Sequence, residues 1–344
     1  MYVGIKGEPV NIGDLEAYIG DLAIKEGYKI NNSELKINKK IAVVGGGPSG
    51  LTCAAFLAKK GYDVTIYEKH DKLGGLLTHG IPEFRLPNEI VQNTIKQILN
   101  LGIKYESNKE LSKNLSLKEL QENYDAVFLG FGANKSCNMG IEGESLKGVY
   151  GGNELLEYQN HPDYKGKIVS VIGGGNVAMD SARTIKRLGA KEVKVIYRRA
   201  EAQMPADEKE IQAAKEEGIE FLFQNNIVKI IGQDKVEKLE CIKTELVKKE
   251  GETREYPVNI EGSNYIIDMN IVVMALGSMP EDFVKDLGLN LNKWNQIVID
   301  ENNMTSIDGV FAGGDVAGAK ATVAWAARAG RDAAYSIMKY LESK

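Results

Sequence analysis

Cysteine is scarce in this chain and scattered. Cys53, Cys137 and Cys241 form no C-x-x-C, which excludes a thiol redox pair, a disulfide framework and an iron–sulfur or zinc ligand set within the sequence. The three histidines, His70, His79 and His161, make no metal-ligand spacing either. No apolar run approaches the roughly 18 residues of a membrane span, and the first residues lack the basic-then-apolar order of a signal peptide. There is no basic block, and a net charge of −5 argues against nucleic acid as a partner. What is present is 344 residues, 43% hydrophobic and 26% charged, the proportions of a globular chain of about two domains. The expectation is a cytoplasmic protein with no metal, no nucleic acid and no membrane among its partners.

Glycine, by contrast, is concentrated where it carries meaning. Ile41–Val44 is a short β-prone run that enters Gly45-Gly46-Gly47-Pro48-Ser49-Gly50; a helical stretch follows to about Lys60, and Val64–Tyr67 is β-prone again. Strand, tight turn, helix and strand are the context in which G-x-G-x-x-G points to a dinucleotide. Gly45 allows the turn, Gly47 lets backbone approach a pyrophosphate, and Gly50 lets helix and strand close up. The helix start offers free N–H groups and a positive dipole end. Glu68 follows Gly50 by 18 residues, where a carboxylate accepts hydrogen bonds from an adenosine ribose and repels a 2′-phosphate. This first turn therefore suits FAD or NAD better than NADP.

The pattern returns. Ile168–Ile172 leads into Gly173-Gly174-Gly175-Asn176-Val177-Ala178, with alanine at the third glycine position, a variant the fingerprint allows. A lag this long marks a second nucleotide-binding unit, not a solenoid repeat. Here the second strand, Val193–Tyr197, ends in Arg198-Arg199 instead of an acid. Two guanidiniums would pair with a 2′-phosphate, so NADPH is expected over NADH; the alternative is a pair of solvated surface charges.

Other stretches say less alone. Leu15, Ile19 and Leu22 share a helical face within residues 14–23, which predicts a short amphipathic helix packed as an arm on the domain that follows. Gly74-Gly75 and the proline-bracketed Gly80–Pro87 exclude regular structure; they suit close approach to a flat ligand with Arg85 nearby, or a plain surface loop. Residues 88–105 look helical with a strand at 103–106. Tyr124–Ala133 is a strand broken at Gly130 and Gly132, and Met269–Gly277 is another ending in glycine. Residues 207–262 predict a helix and a small antiparallel set of strands that includes Phe221–Phe223. Gly309–Asp315 is a strand into Gly-Gly-Asp, followed by an alanine-rich helix from about Thr322; Asp315 could accept hydrogen bonds from sugar-like hydroxyls, or the motif is only a turn.

Together these residues resemble the two-dinucleotide-binding-domain flavoproteins, over about Lys40–Leu341. Within them, GIPEFRLP (80–87), GGGNVAMDSAR (173–183), YRRAEAQMPA (197–206) and AGGDVAGAKATVAWAARAGR (312–331) are similar to the small (beta) subunit of NADPH-dependent glutamate synthase and to the reductase half of dihydropyrimidine dehydrogenase. The resemblance implies an α/β fold of two Rossmann-like domains, the FAD domain (36–152 and 286–344) interrupted by an inserted NAD(P)H domain (153–285), with residues 1–35 as an N-terminal arm. It implies FAD held by Gly45, Gly47, Pro48, Ser49, Gly50, Glu68, Lys69, Gly75, Leu76, Arg85, Leu111, Gly132, Gly314, Asp315, Thr322 and Val323. It places NADPH around Gly173, Gly175, Asn176, Val177, Ala178, Asp180, Arg198, Arg199, Ala275 and Gly277.

The activity so implied is an NADPH-dependent FAD oxidoreductase that passes electrons to a partner, an iron–sulfur or synthase subunit. One feature of those relatives is missing. Residues 4–23 resemble the end of their N-terminal iron–sulfur domain, but no cluster-binding cysteines stand ahead of them. The expectation is that clusters sit on a partner chain or that electrons leave directly from flavin. A stand-alone ferredoxin-NADP reductase and a non-catalytic nucleotide-binding subunit are the competing readings. Thioredoxin and disulfide reductases are disfavoured for want of a redox cysteine pair.

Overall fold

A computed structural model describes residues 10–31, 34–248, 251 and 255–344, so the stretch before residue 10 lies outside the described residues. The chain begins with helix α1 (Ile12–Lys25), capped by Asn11, whose side chain accepts the Asp14 N–H. The amphipathic helix is there and touches the helix at Asn88–Leu99, but its apolar face is not buried. No residue of α1 is buried, and Ile12, Leu15, Ile19 and Leu22 all face water.

From there the chain runs through β1 (Ile37–Val44), α2 (Pro48–Ala58), β2 (Tyr62–Tyr67), a one-turn α3 (Leu76–His79), α4 (Asn88–Leu99), β3 (Lys104–Glu106), α5 (Leu117–Asn123) and β4 (Ala126–Leu129). Next come β5 (Lys135–Ser136), β6 (Val149–Gly151), α6 (Gly152–Tyr158), β7 (Ile168–Ile172), α7 (Asn176–Arg187), β8 (Glu192–Tyr197), α8 (Glu208–Glu216) and β9 (Glu220–Phe223). Four strands follow, β10 (Asn225–Ile231), β11 (Lys238–Lys248), β12 (Glu255–Asn259) and β13 (Tyr265–Asp268). The last elements are β14 (Ile271–Met274), β15 (Ser278–Met279), β16 (Val310–Ala312) and α9 (Val323–Glu342).

Two parallel sheets carry the architecture, in the orders β16-β4-β1-β2-β3 and β6-β14-β7-β8-β9. They are the same sheet twice: β1 lies between β2 and β4 as β7 lies between β8 and β14. In the first sheet the edge strand β16 arrives from the C-terminal end of the chain, so the first unit is interrupted by the second. Val149–Gly151 pairs with β14, so on strand membership the second sheet starts before residue 153. Phe221–Phe223, expected in the antiparallel set, pairs instead parallel to β8 as an edge of the second sheet. The antiparallel set is β10 to β13, with β11 paired to all three others.

Both sheets are covered on both faces, which is why their central strands are apolar without alternation. Ile41, Val43 and Phe128 pack with α2 and α9, while Ala42, Val44, Val127 and Leu129 pack on the opposite side. In the second unit one face packs against α7 and α8 and the other against the antiparallel strands. Side chains such as Leu57, Ile66 and Ile185, all fully buried, contribute about 1.5–3 kcal/mol each by leaving water. Val44 sits beside Tyr67 and Leu129, so Gly45, Glu68 and Gly130 emerge together at the carboxyl ends of parallel strands. That is the crevice where open α/β sheets bind ligands. Among the described residues no helix is long and apolar enough to cross a membrane, and no group of side chains could hold a metal ion.

Candidate functional site: one cleft between two glycine turns

The first turn is fixed by backbone crowding. Gly45 has φ +101°, and a Cβ there would lie 2.6 Å from the Phe131 Cα; a Cβ on Gly50 would lie 1.9 Å from the Gly45 carbonyl oxygen. Helix α2 opens with Pro48 after Gly47, with no side chain capping it, so its first N–H groups stay free for an anion. Glu68, 4% exposed, accepts the Gly46 N–H at 2.7 Å and the His70 N–H at 3.0 Å. One carboxylate thus ties the end of β2 to the turn after β1, and lone pairs remain for a ribose.

The opposite wall comes from the far end of the chain. Gly314-Asp315 follows β16, and Thr322 caps α9 by accepting the Trp325 N–H. Asp315 Oδ1 is buried without a hydrogen-bond partner, and so is Ser49 Oγ. Burial pushes the Asp315 carboxyl up, opposed by the Ala321 backbone N–H. Buried polar atoms left unpaired are costly and rare in folded proteins, and a hydroxyl-rich, phosphate-bearing ligand would satisfy both.

Between these walls lies a cleft of about 430 Å³. Gly45, Gly47, Pro48, Ser49, Glu68, Lys69, Gly75, Leu76, Arg85, Leu111, Gly132, Gly314, Asp315, Thr322 and Val323 all line it, that is, every flavin-side candidate except Gly50. Asn176, Val177 and Asp180 of the second unit line the same cleft. The first glycine turn and the first turn of the helix after the second one therefore open onto one space.

The second turn repeats the first in outline. Gly173 has φ +139°, and a Cβ there would meet the Ala275 carbonyl oxygen at 2.1 Å. Helix α7 starts after Gly175 without a side-chain cap, and Asn176 Oδ1 accepts the Asp207 N–H at 3.1 Å. Ala178 is fully buried. Arg198 is exposed, and Arg199 Nε is buried with no partner; neither guanidinium makes an ion pair among the described residues. Gly173, Gly175, Ala178, Arg198, Arg199, Ala275 and Gly277 lie outside the cleft lining.

Two arrangements were not legible in advance. Arg85 is committed across the units: its Nη1 donates to both oxygens of Asp180 at 2.9 and 2.8 Å, and its Nε lies 3.5 Å from Glu210. Burial raises the Asp180 carboxyl to about 6, with Arg85 opposing the rise. At the other end of the cleft Glu157 of α6 is met by Lys69 at 2.6 Å, by His70 at 2.8 Å and by Asn134. Burial would raise Glu157, but these partners outweigh it and hold the carboxyl at about 2. Glu157 carried no motif; the Gly151-Gly152 crossover just ahead of it was the available signal.

Comparison with known proteins places this geometry. The pyridine nucleotide-disulphide oxidoreductase family matches residues 21–333. The chain belongs to that family. It is 35% identical to the NADPH glutamate synthase small chain of Escherichia coli over 355 residues, covering 97% of this chain and 75% of the relative. It is 36% identical to the oxidoreductase AegA of Escherichia coli, covering 97% of this chain but 54% of AegA, so it spans about half that relative's length. FprA of Mycobacterium tuberculosis in complex with NADPH superimposes with a TM-score of 0.79 at 20% identity, covering 89% of this chain and 85% of that one. That likeness is one of fold.

Membership in the pyridine nucleotide-disulphide oxidoreductase family makes the chain an oxidoreductase and implies FAD and NADPH as its cofactors. The unpartnered Asp315 and Ser49 oxygens and the open start of α2 fit the first; the open start of α7 and the unpaired Arg198 and Arg199 fit the second. The disulphide half of the family name finds no counterpart in thiols. Cys53 and Cys241 are buried and Cys137 is half-buried, and burial pushes Cys53 up and Cys241 to about 11, so none is a thiolate near neutral pH.

Proposed function

We propose that this chain is an NADPH-dependent FAD oxidoreductase of the glutamate synthase small-chain kind, acting in the cytoplasm and delivering electrons to a protein partner. The observation that carries the reading is the shared cleft: the turn at Gly45–Gly50 and the start of α7, directly after the second glycine turn, line one space through Ser49, Glu68, Asn176 and Val177. When bound, the two cofactors supply the chemistry, a hydride from the nicotinamide C4 to the flavin N5.

The chain's own residues bind, orient and exclude water. In this reading residues 36–152 and 286–344 hold FAD and residues 153–285 hold NADPH. The N–H groups at the start of α2 face the FAD pyrophosphate, Glu68 takes the adenosine ribose and Asp315 the ribityl hydroxyls. Thr322 fixes the start of α9, whose positive end favours negative charge on a ring beside it. Arg198 and Arg199 hold the 2′-phosphate and so select NADPH over NADH. No side chain is needed as a general acid or base. The partner is an iron–sulfur or synthase subunit, a reading supported by relatives that are themselves small chains of larger enzymes.

The test is direct. Purified protein supplied with FAD should show a flavin band at about 450 nm that NADPH bleaches in the absence of oxygen. A chain that stays colourless after FAD is added would instead be a nucleotide-binding subunit without redox activity.

A further inference from the structure

The Gly80–Pro87 loop belongs to the first unit, where Leu86 packs, yet its Phe84 and Arg85 side chains reach the second. Phe84 lies between the guanidiniums of Arg183 and Arg187, at 4.6 and 3.9 Å from the ring centroid. Arg85, held in a turn by its N–H to the Pro82 carbonyl, reaches Asp180 and Glu210. Arg183 in turn pairs with Glu210 and Glu217, and Arg187 with Glu217. The pair at the centre is well shielded, with the Asp180 side chain 6% and the Arg85 side chain 22% exposed. Shielded charges of this kind hold one geometry, because separating them strands a charge away from water.

What the network grips is chemically placed. Asp180 sits one turn along α7 from Asn176, and Asn176, Val177 and Asp180 are the second unit's α7 contribution to the cleft. The residues of the loop and of α7 are about a hundred positions apart in sequence, and no local backbone requirement joins them.

We infer that Arg85, Asp180 and Glu210, braced by Phe84 between Arg183 and Arg187, form a clasp between the two nucleotide units that fixes the first turn of α7 over the cleft. These are positioning residues: they set the relative placement of the two bound cofactors and take no proton or electron. The clasp rests on the proposed function only for its purpose; its existence as a joint between units does not. Misplacement of reacting groups by about 1 Å is enough to slow a transfer step by about a hundredfold, so loosening this joint acts on rate more than on binding.

Five variants test it: Asp180→Asn, the singles Arg85→Ala and Asp180→Ala, their double, and Phe84→Ala, the last lying outside the cleft lining. Hydrogen exchange is followed on the protein without added nucleotide, in loop 80–87 and in the first turns of α7. Bleaching by NADPH is followed in parallel on the FAD-loaded protein. Exchange should rise in both segments together, even when only one of them carries the substitution.

The limiting bleaching rate should fall by about tenfold in Asp180→Asn while the half-saturating NADPH concentration moves by less than about threefold. The double variant should be no slower than the worse of its singles, as expected of residues acting as one unit. Faster exchange confined to the substituted segment would overturn the clasp, and so would single effects that simply multiply. Should the chain take up no FAD, the oxidoreductase reading fails, and the coupled exchange still decides whether the joint exists.

Discussion

In the first unit the residue after β2 is Glu68, and its carboxylate accepts the N–H of Gly46 inside the turn. In the second unit β8 also ends in tyrosine, but Arg198 stands in the place of Glu68. There the turn is packed differently: the Tyr197 ring lies against Gly174, where a Cβ would meet it at 2.6 Å, and the Tyr197 hydroxyl donates to the Gln203 carbonyl. The same strand–turn–helix is thus closed by a hydrogen-bonded acid in one copy and by an aromatic ring in the other. With Tyr197 closing the second turn, the next two residues hold the antiparallel strands through their carbonyls, which accept from Thr244 Oγ1 and the Gln224 N–H, while their guanidiniums make no ion pair among the described residues. Those positions are the two arginines, with no acid beside them among the described residues. A fold duplicated in one chain can therefore keep its turn while moving the closing contact one residue back.

The largest effect that would sharpen this contrast is on the second copy. Replacing Arg198 and Arg199 with alanine would remove the charge-assisted hydrogen bonds proposed for the 2′-phosphate, worth about 1.5–3 kcal/mol each. Steady-state kinetics should show kcat/KM for NADPH falling by roughly a hundredfold or more, with NADH changed by only a few-fold. Equal losses with both nucleotides would show that the pair does not read the 2′-phosphate.

The two carboxylates at the joint come next, because their surroundings push them in opposite directions. Asp180 is raised from 3.8 to about 6, so the folded state disfavours its ionised form. The protein should lose about 3 kcal/mol of stability as pH rises from about 4 to 7 on this account, a slope that Asp180→Asn should lack. The groups facing Asp180 are Arg85, Glu210 and Arg183, and ionising it is what completes the pair with Arg85. Glu157, held at about 2, behaves the other way: its contribution is full above about pH 4.5 and disappears as the pH drops through 2. Unfolding curves across this range, for wild type, Asp180→Asn and Glu157→Gln, check both signs.

A smaller effect separates the third positions of the two turns. Gly50→Ala puts a methyl group 1.9 Å from the Gly45 carbonyl oxygen, and overpacking of this kind costs about 1–3 kcal/mol. A lowered Tm and a weakened flavin band should follow. The smallest is the reverse change, Ala178→Gly, which costs about 0.5–1 kcal/mol through backbone entropy and should leave NADPH use intact. Were Gly50→Ala as mild as Ala178→Gly, the two turns would be equivalent at that position after all.

The fold and much of the cleft were legible because their signals are short-range. Ile41 to Glu68 carries strand, turn, helix, strand and acid within one continuous stretch, and the copy at Ile168 to Arg199 carries the same elements with arginines in place of the acid. The misreadings all concern distant partners. The apolar face of α1 could be read from Leu15, Ile19 and Leu22, but periodicity says only that a face exists, and here it stays exposed. Phe221–Phe223 is equally β-prone at a parallel edge and in a hairpin, and pairing with β8 decided between them. Arg85 is no misreading, since it lines the cleft; what went unread is that its guanidinium is held by Asp180 and Glu210, which depends on how two units meet and which no local pattern encodes. Glu157, similarly, gains its three partners only through the crossover at α6.

The position of β16 bears on how the molecule is made. The inner sheet has all five of its strands by Met274, whereas the outer one waits for Val310–Ala312 to add its edge, and for α9 to cover Ile41, Val43 and Phe128. On a ribosome the part of the chain synthesised first would thus be finished last, and β1 to β4 would stand with an open flank while the insertion folds beside them. Such a flank is the place where a chaperone would be expected to bind the nascent polypeptide.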